Sequence, residues 1–173
     1  MLLAAILVFS MAACSNNVQS LQPSPPGSKG PSKPTSTEPP VLIIDDRSGN
    51  SIKANTGTYT WNYDNGDGTQ TGVCADSTHP LEWQKLLKPM TTTQDSVELS
   101  FAVPPQEYKV YRWNESCWGD VDAVSEYVET NGNVIDLKDG VYIYEIAAKW
   151  TGENLAAEGT VHYGLYVIKT TLR

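Results

Sequence analysis

The stretch 139–150, Asp-Gly-Val-Tyr-Ile-Tyr-Glu-Ile-Ala-Ala-Lys-Trp, constrains the fold more than any other part of the chain. Asp139-Gly140 is a turn signal. After it, Tyr142, Tyr144, Ile146, Ala148 and Trp150 share one parity, and all are apolar or aromatic. Val141, Ile143, Glu145, Ala147 and Lys149 share the other, which grows polar toward its end. A side-chain period of two belongs to a strand. The stretch therefore predicts a long strand with one face in a core.

Other segments repeat the pattern. Tyr59, Trp61 and Tyr63 alternate with Thr58, Thr60 and Asn62, which is strong strand chemistry. The run 64–68, Asp-Asn-Gly-Asp-Gly, reads as a hairpin turn leading to a strand over 69–75. It fails a calcium-loop reading, because Tyr63 falls where an acidic ligand is needed. Short apolar runs predict strands at 41–44 and 51–54. Alternation predicts strands at 96–103, 107–113 and 160–170. Asn131-Gly132 predicts a hairpin between strands at 121–128 and 133–137. Residues 81–88 fit two helical turns between Pro80 and Pro89. His79 reads as a turn residue. His162 has the parity opposite to Val161, Tyr163, Leu165 and Val167, so it is expected on the exposed face. Many short strands with turn residues between them predict an all-β fold, an antiparallel β-sandwich with at most one short helix.

The amino terminus has another character. Residues 2–9 are an apolar run too short to span a bilayer as a helix. They fit the apolar region of an export signal, with residues 1–13 as the signal peptide, although no Lys or Arg precedes the run. Ala12-Ala13-Cys14 resembles the lipobox of bacterial lipoproteins, with Met11 where Leu is commoner. That resemblance implies cleavage before Cys14, lipid on its sulfur and a location at the extracytoplasmic face of the cell membrane. Residues 14–40 are rich in Ser, Pro and Thr and hold little large apolar surface. They read as a disordered tether that spaces the domain from the membrane.

Residues 41–173 are enough for one domain. They carry 10 Lys and Arg against 19 Asp and Glu, a net charge of −9. Such a surface argues against nucleic acid and against adsorption to anionic lipid. With Cys14 assigned to lipid, Cys74 and Cys117 remain as a candidate disulfide in an oxidising compartment. Closing that loop would contribute about 4 kcal/mol in the chain-entropy model. Two separate thiols are the other reading. No further ligand sits at zinc-site spacing, so no metal or cofactor is expected. The acids Glu115, Asp120, Asp122, Glu126 and Glu129 read as a solvated loop and strand edge, with a cation or basic partner as the other option.

The entry to the 139–150 stretch, Asp-Gly-x-Tyr, resembles the corner before strand F of immunoglobulin-like sandwiches, where a Tyr hydroxyl bonds to upstream backbone. That likeness implies a structural Tyr142. Four stretches together resemble a group of extracytoplasmic domains of Gram-positive bacteria. They are Gly57-Thr58-Tyr59-Thr60-Trp61, Ala75-Asp76-Ser77-Thr78-His79-Pro80-Leu81, residues 139–150 and Tyr163-Gly164-Leu165-Tyr166. Members of the group look like small lipoproteins, or are similar to the outer domain of membrane metallopeptidases related to β-lactam sensors. The chain lacks the His-Glu-x-x-His motif of those peptidases, so the resemblance implies no peptidase activity.

The expected function is a surface-anchored binding or sensing lipoprotein whose partner is a protein or a cell-wall glycan. A carbohydrate or cell-wall binding module is the alternative, with Tyr111, Trp113 and Trp118 as candidate ligand-facing aromatics. A hydrolase is the third reading, but no Gly-x-Ser-x-Gly is present and no catalytic residue is assigned.

Overall fold

The structure is a computed structural model that describes residues 35–171. Twelve strands follow in order: β1 (Leu42–Asp45), β2 (Ser51–Lys53), β3 (Asn55–Asp64), β4 (Gln70–Ala75), β5 (Pro89–Thr92), β6 (Ser96–Phe101), β7 (Glu107–Asn114), β8 (Glu126–Val128), β9 (Thr130–Asn131), β10 (Val134–Asp136), β11 (Gly140–Thr151) and β12 (Ala157–Lys169). The smaller sheet runs β2-β1-β6-β10-β9 and the larger β4-β3-β12-β11-β7-β8. The two form an all-β sandwich, consistent with an immunoglobulin-like one. All pairings are antiparallel except β5 with β12. No helix among the described residues is long and apolar enough to cross a membrane.

The expected central strand is β11. Its even residues Tyr144, Ile146, Ala148 and Trp150 are at most 2% exposed and face the other sheet. They meet Leu42, Ile44, Val97, Leu99, Ile135, Trp61 and Tyr163 in one core. Trp61 and Trp150 pack edge to face with centroids 5.6 Å apart. The opposite face of β11 is not simply solvated, because Ile143 is also fully buried. It lies in a second apolar cluster with Leu81, Trp83, Leu87 and Trp113. The larger sheet is therefore covered on both faces at its centre. Two chain segments do the covering, one around Pro80–Glu82 and one around Glu115–Cys117, both single 3-10 turns. They join where the Gly119 amide donates to the Leu81 carbonyl at 2.9 Å.

Several expectations need correction. The helix expected over 81–88 is only the 3-10 turn Pro80–Glu82 followed by turns. Pro89 opens β5, a strand that runs parallel to the end of β12. The strand expected over 121–128 shrinks to Glu126–Val128 and pairs with β7 in the larger sheet, while the Asn131-Gly132 turn joins β9 to β10 in the smaller one. Tyr142 is half-buried under the Arg112 guanidinium, 5.7 Å from ring centroid to Cζ. The tyrosine-to-backbone bonds lie elsewhere. Tyr163 donates to the Pro40 carbonyl and Tyr108 to the Gly132 carbonyl.

Cys74 and Cys117 are both unpaired thiols. Cys74 is exposed on the edge strand β4, and Cys117 lies in the turn that follows β7. Strands β3, β12 and β11 lie between β4 and β7, a span of several strand spacings of about 4.8 Å. Cys14 and the signal segment lie outside the described residues. The described end of the tether segment, 35–40, lies against the sandwich. The Ser36 carbonyl accepts from Trp61 Nε1 at 2.9 Å, and Pro40 is buried.

Asp46 locks the β1–β2 connection to β5. Its carboxylate accepts from the Ser48 and Asn50 amides, the Ser48 hydroxyl, Asn50 Nδ2 and Thr92 Oγ1. Burial opposes its ionisation, but the bonds from Ser48, Thr92 and Asn50 outweigh it and hold the carboxyl well below its usual range.

Candidate functional site

A β-bulge borders the site. In the β12–β3 ladder, Val161 faces Tyr59 and Tyr163 faces Thr56. One residue of β12, His162, therefore opposes two of β3, Gly57 and Thr58. A bulge of this kind bends the strand and re-aims side chains. Here the extra residue is on β3, and both Gly57 and Thr58 meet the outer layer, Gly57 under Trp83 and Thr58 in the notch described below. His162 lies on the same face by its parity between the core residues Val161 and Tyr163. Glu145 of β11 lies there too, one diagonal step away, since Ala147 pairs with His162 and Glu145 with Gly164. Diagonal neighbours are within reach of long side chains. His162 Nδ1 and Glu145 Oε1 are 2.8 Å apart. A carboxylate can only accept, so Nδ1 carries the proton and Nε2 is left for other partners.

The segment 76–88 then roofs the sheet beside this pair. Thr58 Oγ1 accepts from the Ser77 amide at 3.0 Å and donates to the Ser77 carbonyl. Pro80 and Leu81 are buried in the 3-10 turn, and His79 Nδ1 accepts from the Leu81 amide. Trp83 lies over two glycines. A Cβ at Gly57 would come within 2.2 Å of its ring, and one at Gly164 within 2.4 Å. Only a residue without a side chain lets the indole approach the sheet this closely. Trp83 Nε1 donates to Thr78 Oγ1 at 3.2 Å, so the roof is fixed by both packing and hydrogen bonds.

Between roof and sheet is a notch of about 320 Å³ lined by Thr58, Ser77, Thr78, His79, Pro80, Trp83, Glu145 and His162. It gathers both histidines of the chain. The His162 side chain is 37% exposed and that of Glu145 18%. The bond to Glu145 raises the His162 pKa, and burial works against it. His79 also packs edge-on against Trp113, with centroids 5.2 Å apart.

Parity in β12 marks His162 as outward-facing, and so it is. It is half-covered rather than free because a distant segment crosses it. The two glycines and the Trp at 83 were the available signal, since small residues in strands mark close approach.

The aromatics singled out from the sequence form no flat platform. Trp113 is 6% exposed, and its Nε1 donates to the Ala123 carbonyl. Trp118 meets Tyr166 edge to face, and Tyr111 meets Tyr127 in the same way. Glu126 of the acidic stretch pairs with Arg112 at 2.8 Å and Lys138 at 2.8 Å. The hydrogen bonds from Arg112 and Lys138 hold its carboxyl down at about 2. Among the described residues no three His, Cys, Asp or Glu side chains are arranged to hold a metal ion.

No family model, no curated protein and no solved structure matches the chain.

Proposed function

We propose that the chain is a bacterial surface lipoprotein, held at the extracytoplasmic face of the cell membrane by lipid on Cys14, and that its β-sandwich binds a ligand or partner without catalysis. The notch carries the binding half of this reading. It places two imidazoles, a carboxylate and three hydroxyl-bearing side chains around an opening with Trp83 and Pro80 as apolar walls. A few convergent polar groups on an apolar wall are what recognition of a small molecule uses. The hydroxyls of Thr58 and Thr78 are engaged with the Ser77 backbone and Trp83 Nε1, which suits a fixed rim better than an activated nucleophile. The anchoring half rests on Ala12-Ala13-Cys14 and the Pro-rich residues after it. On this reading the domain is a counterpart of the Gram-positive extracytoplasmic domains that its 57–61 and 75–81 stretches resemble.

Amide shift mapping of the domain against a panel of small polar molecules and soluble wall-glycan fragments tests it. Shifts should concentrate at Thr58, Ser77, Thr78, Trp83, Glu145 and His162. Shifts confined to Tyr111, Trp118 and Tyr127 would move binding to those aromatics. A panel with no effect at the notch would contradict the reading.

A further inference from the structure

We propose that the notch takes a small cationic ligand, a primary ammonium group, with the Glu145 carboxylate as its counter-charge and the second proton of His162 as its competitor for that charge. This deepens the binding reading above and rests on it. Among the described residues, Glu145 is the only carboxylate lining the notch. It is largely shielded, and Trp83 and Pro80 form the apolar side of the opening, so a charge there is screened less than on the open surface. Beyond His162, no other side chain makes a hydrogen bond to Glu145 among the described residues. Its second oxygen thus has room for a donor. An ammonium group has three N–H donors, which match that oxygen and the acceptor lone pairs of the rim hydroxyls. The net charge of −9 over residues 41–173 also draws cations toward the domain.

His162 sets the condition for binding. When neutral, it donates Nδ1–H to Glu145 and leaves the carboxylate charge uncancelled. When protonated, it forms an ion pair and the notch has no net charge to offer. An ammonium ion therefore competes with the His162 proton, and binding releases up to one proton. Other groups facing His162 are few. His79 lies across the notch in the roof. Lys109 of β7 shares the outer face, opposite Ala147, which in turn pairs with His162. Tyr111 stands opposite Glu145. Lys149, two positions along β11 from Ala147, is paired with Glu107.

The test titrates the domain with ethanolamine, and with ethylene glycol as a neutral molecule of similar size, following notch amides and the His162 ring by NMR between pH 5 and 8.5. N-acetyl-lysine amide in parallel separates a free small amine from the side chain of a partner, and a response to either supports the proposal. Ethanolamine should bind with an affinity that rises about tenfold per pH unit below the His162 pKa and levels off above it, and it should lower that pKa in return. Glu145→Gln should weaken binding at least tenfold. In His162→Gln the remaining affinity for ethanolamine should no longer depend on pH between 5 and 8.5, which tests the proposal even where Glu145→Gln folds poorly. Equal responses to ethylene glycol and ethanolamine would overturn the ammonium assignment while leaving a ligand site. No response to either amine at pH 8 would also overturn it, whereas the broader panel above decides whether the notch binds anything.

Discussion

Gly164 and Gly57 matter here for what they lack. Each lies under the Trp83 ring, where a methyl group would overlap it. Gly164→Ala is expected to cost about 1–3 kcal/mol, the usual range for overpacking. It should also lift the roof off the sheet, so that Trp83 fluorescence shifts to the red in a fold that still melts cooperatively. An unchanged spectrum with unchanged stability would mean that the indole does not rest there. His162 acts at the same scale through its charge. Its folded-state pKa is raised by Glu145. The pair therefore stabilises the domain fully below the unfolded pKa near 6.5, and this contribution fades as pH rises through the folded value. Denaturant melts from pH 5.5 to 8.5 should show this loss in the wild type, and His162→Gln should flatten it.

At the scale of elements, β11 was legible because one face is uniformly apolar and its entry is a Gly turn. Gly140 indeed has a φ of 111°. The twelve-residue strand follows the expected span with a shift of one position at each end. The β3–β4 hairpin was legible for the same reason, through Tyr59, Trp61 and the Asn-Gly-Asp-Gly turn. β5 was not. It begins on a proline and pairs in parallel with β12, a long-range match that leaves no local period. The roof was hidden likewise, because Leu81, Trp83 and Leu87 bury themselves against a sheet formed mostly later in the chain. The cysteines were misread because a compartment argument sets no distance, and β4 and β7 are separated by three strands. Thiol counting on unfolded, unreduced domain spanning 35–173 should find both Cys74 and Cys117 reactive. A Cys74→Ser, Cys117→Ser double variant should melt within about 1 kcal/mol of wild type, since no cross-link is lost. Two blocked thiols would restore the disulfide.

At the largest scale, the described residues form a sandwich with an additional apolar layer on one outer face, and the notch lies where that layer meets the sheet. The chain enters through residues that belong to the fold, since Ser36 and Pro40 accept hydrogen bonds from Trp61 and Tyr163. A lipid-borne tether ending there would hold the domain by its core. Cys14→Ala should move the protein from the membrane fraction to the soluble fraction, and a variant that stays membrane-bound would remove the lipid from the proposal. The larger question is whether the β11–β12 register and the roof create a paired, shielded His162–Glu145 site. Direct NMR titration of the His162 ring in wild type and Glu145→Gln answers it. In the wild type, His162 should titrate above 6.5, and Glu145→Gln should bring its pKa down by removing the hydrogen bond that raises it. A His162 that titrates near 6.5 in both proteins would contradict the pairing and, with it, the site.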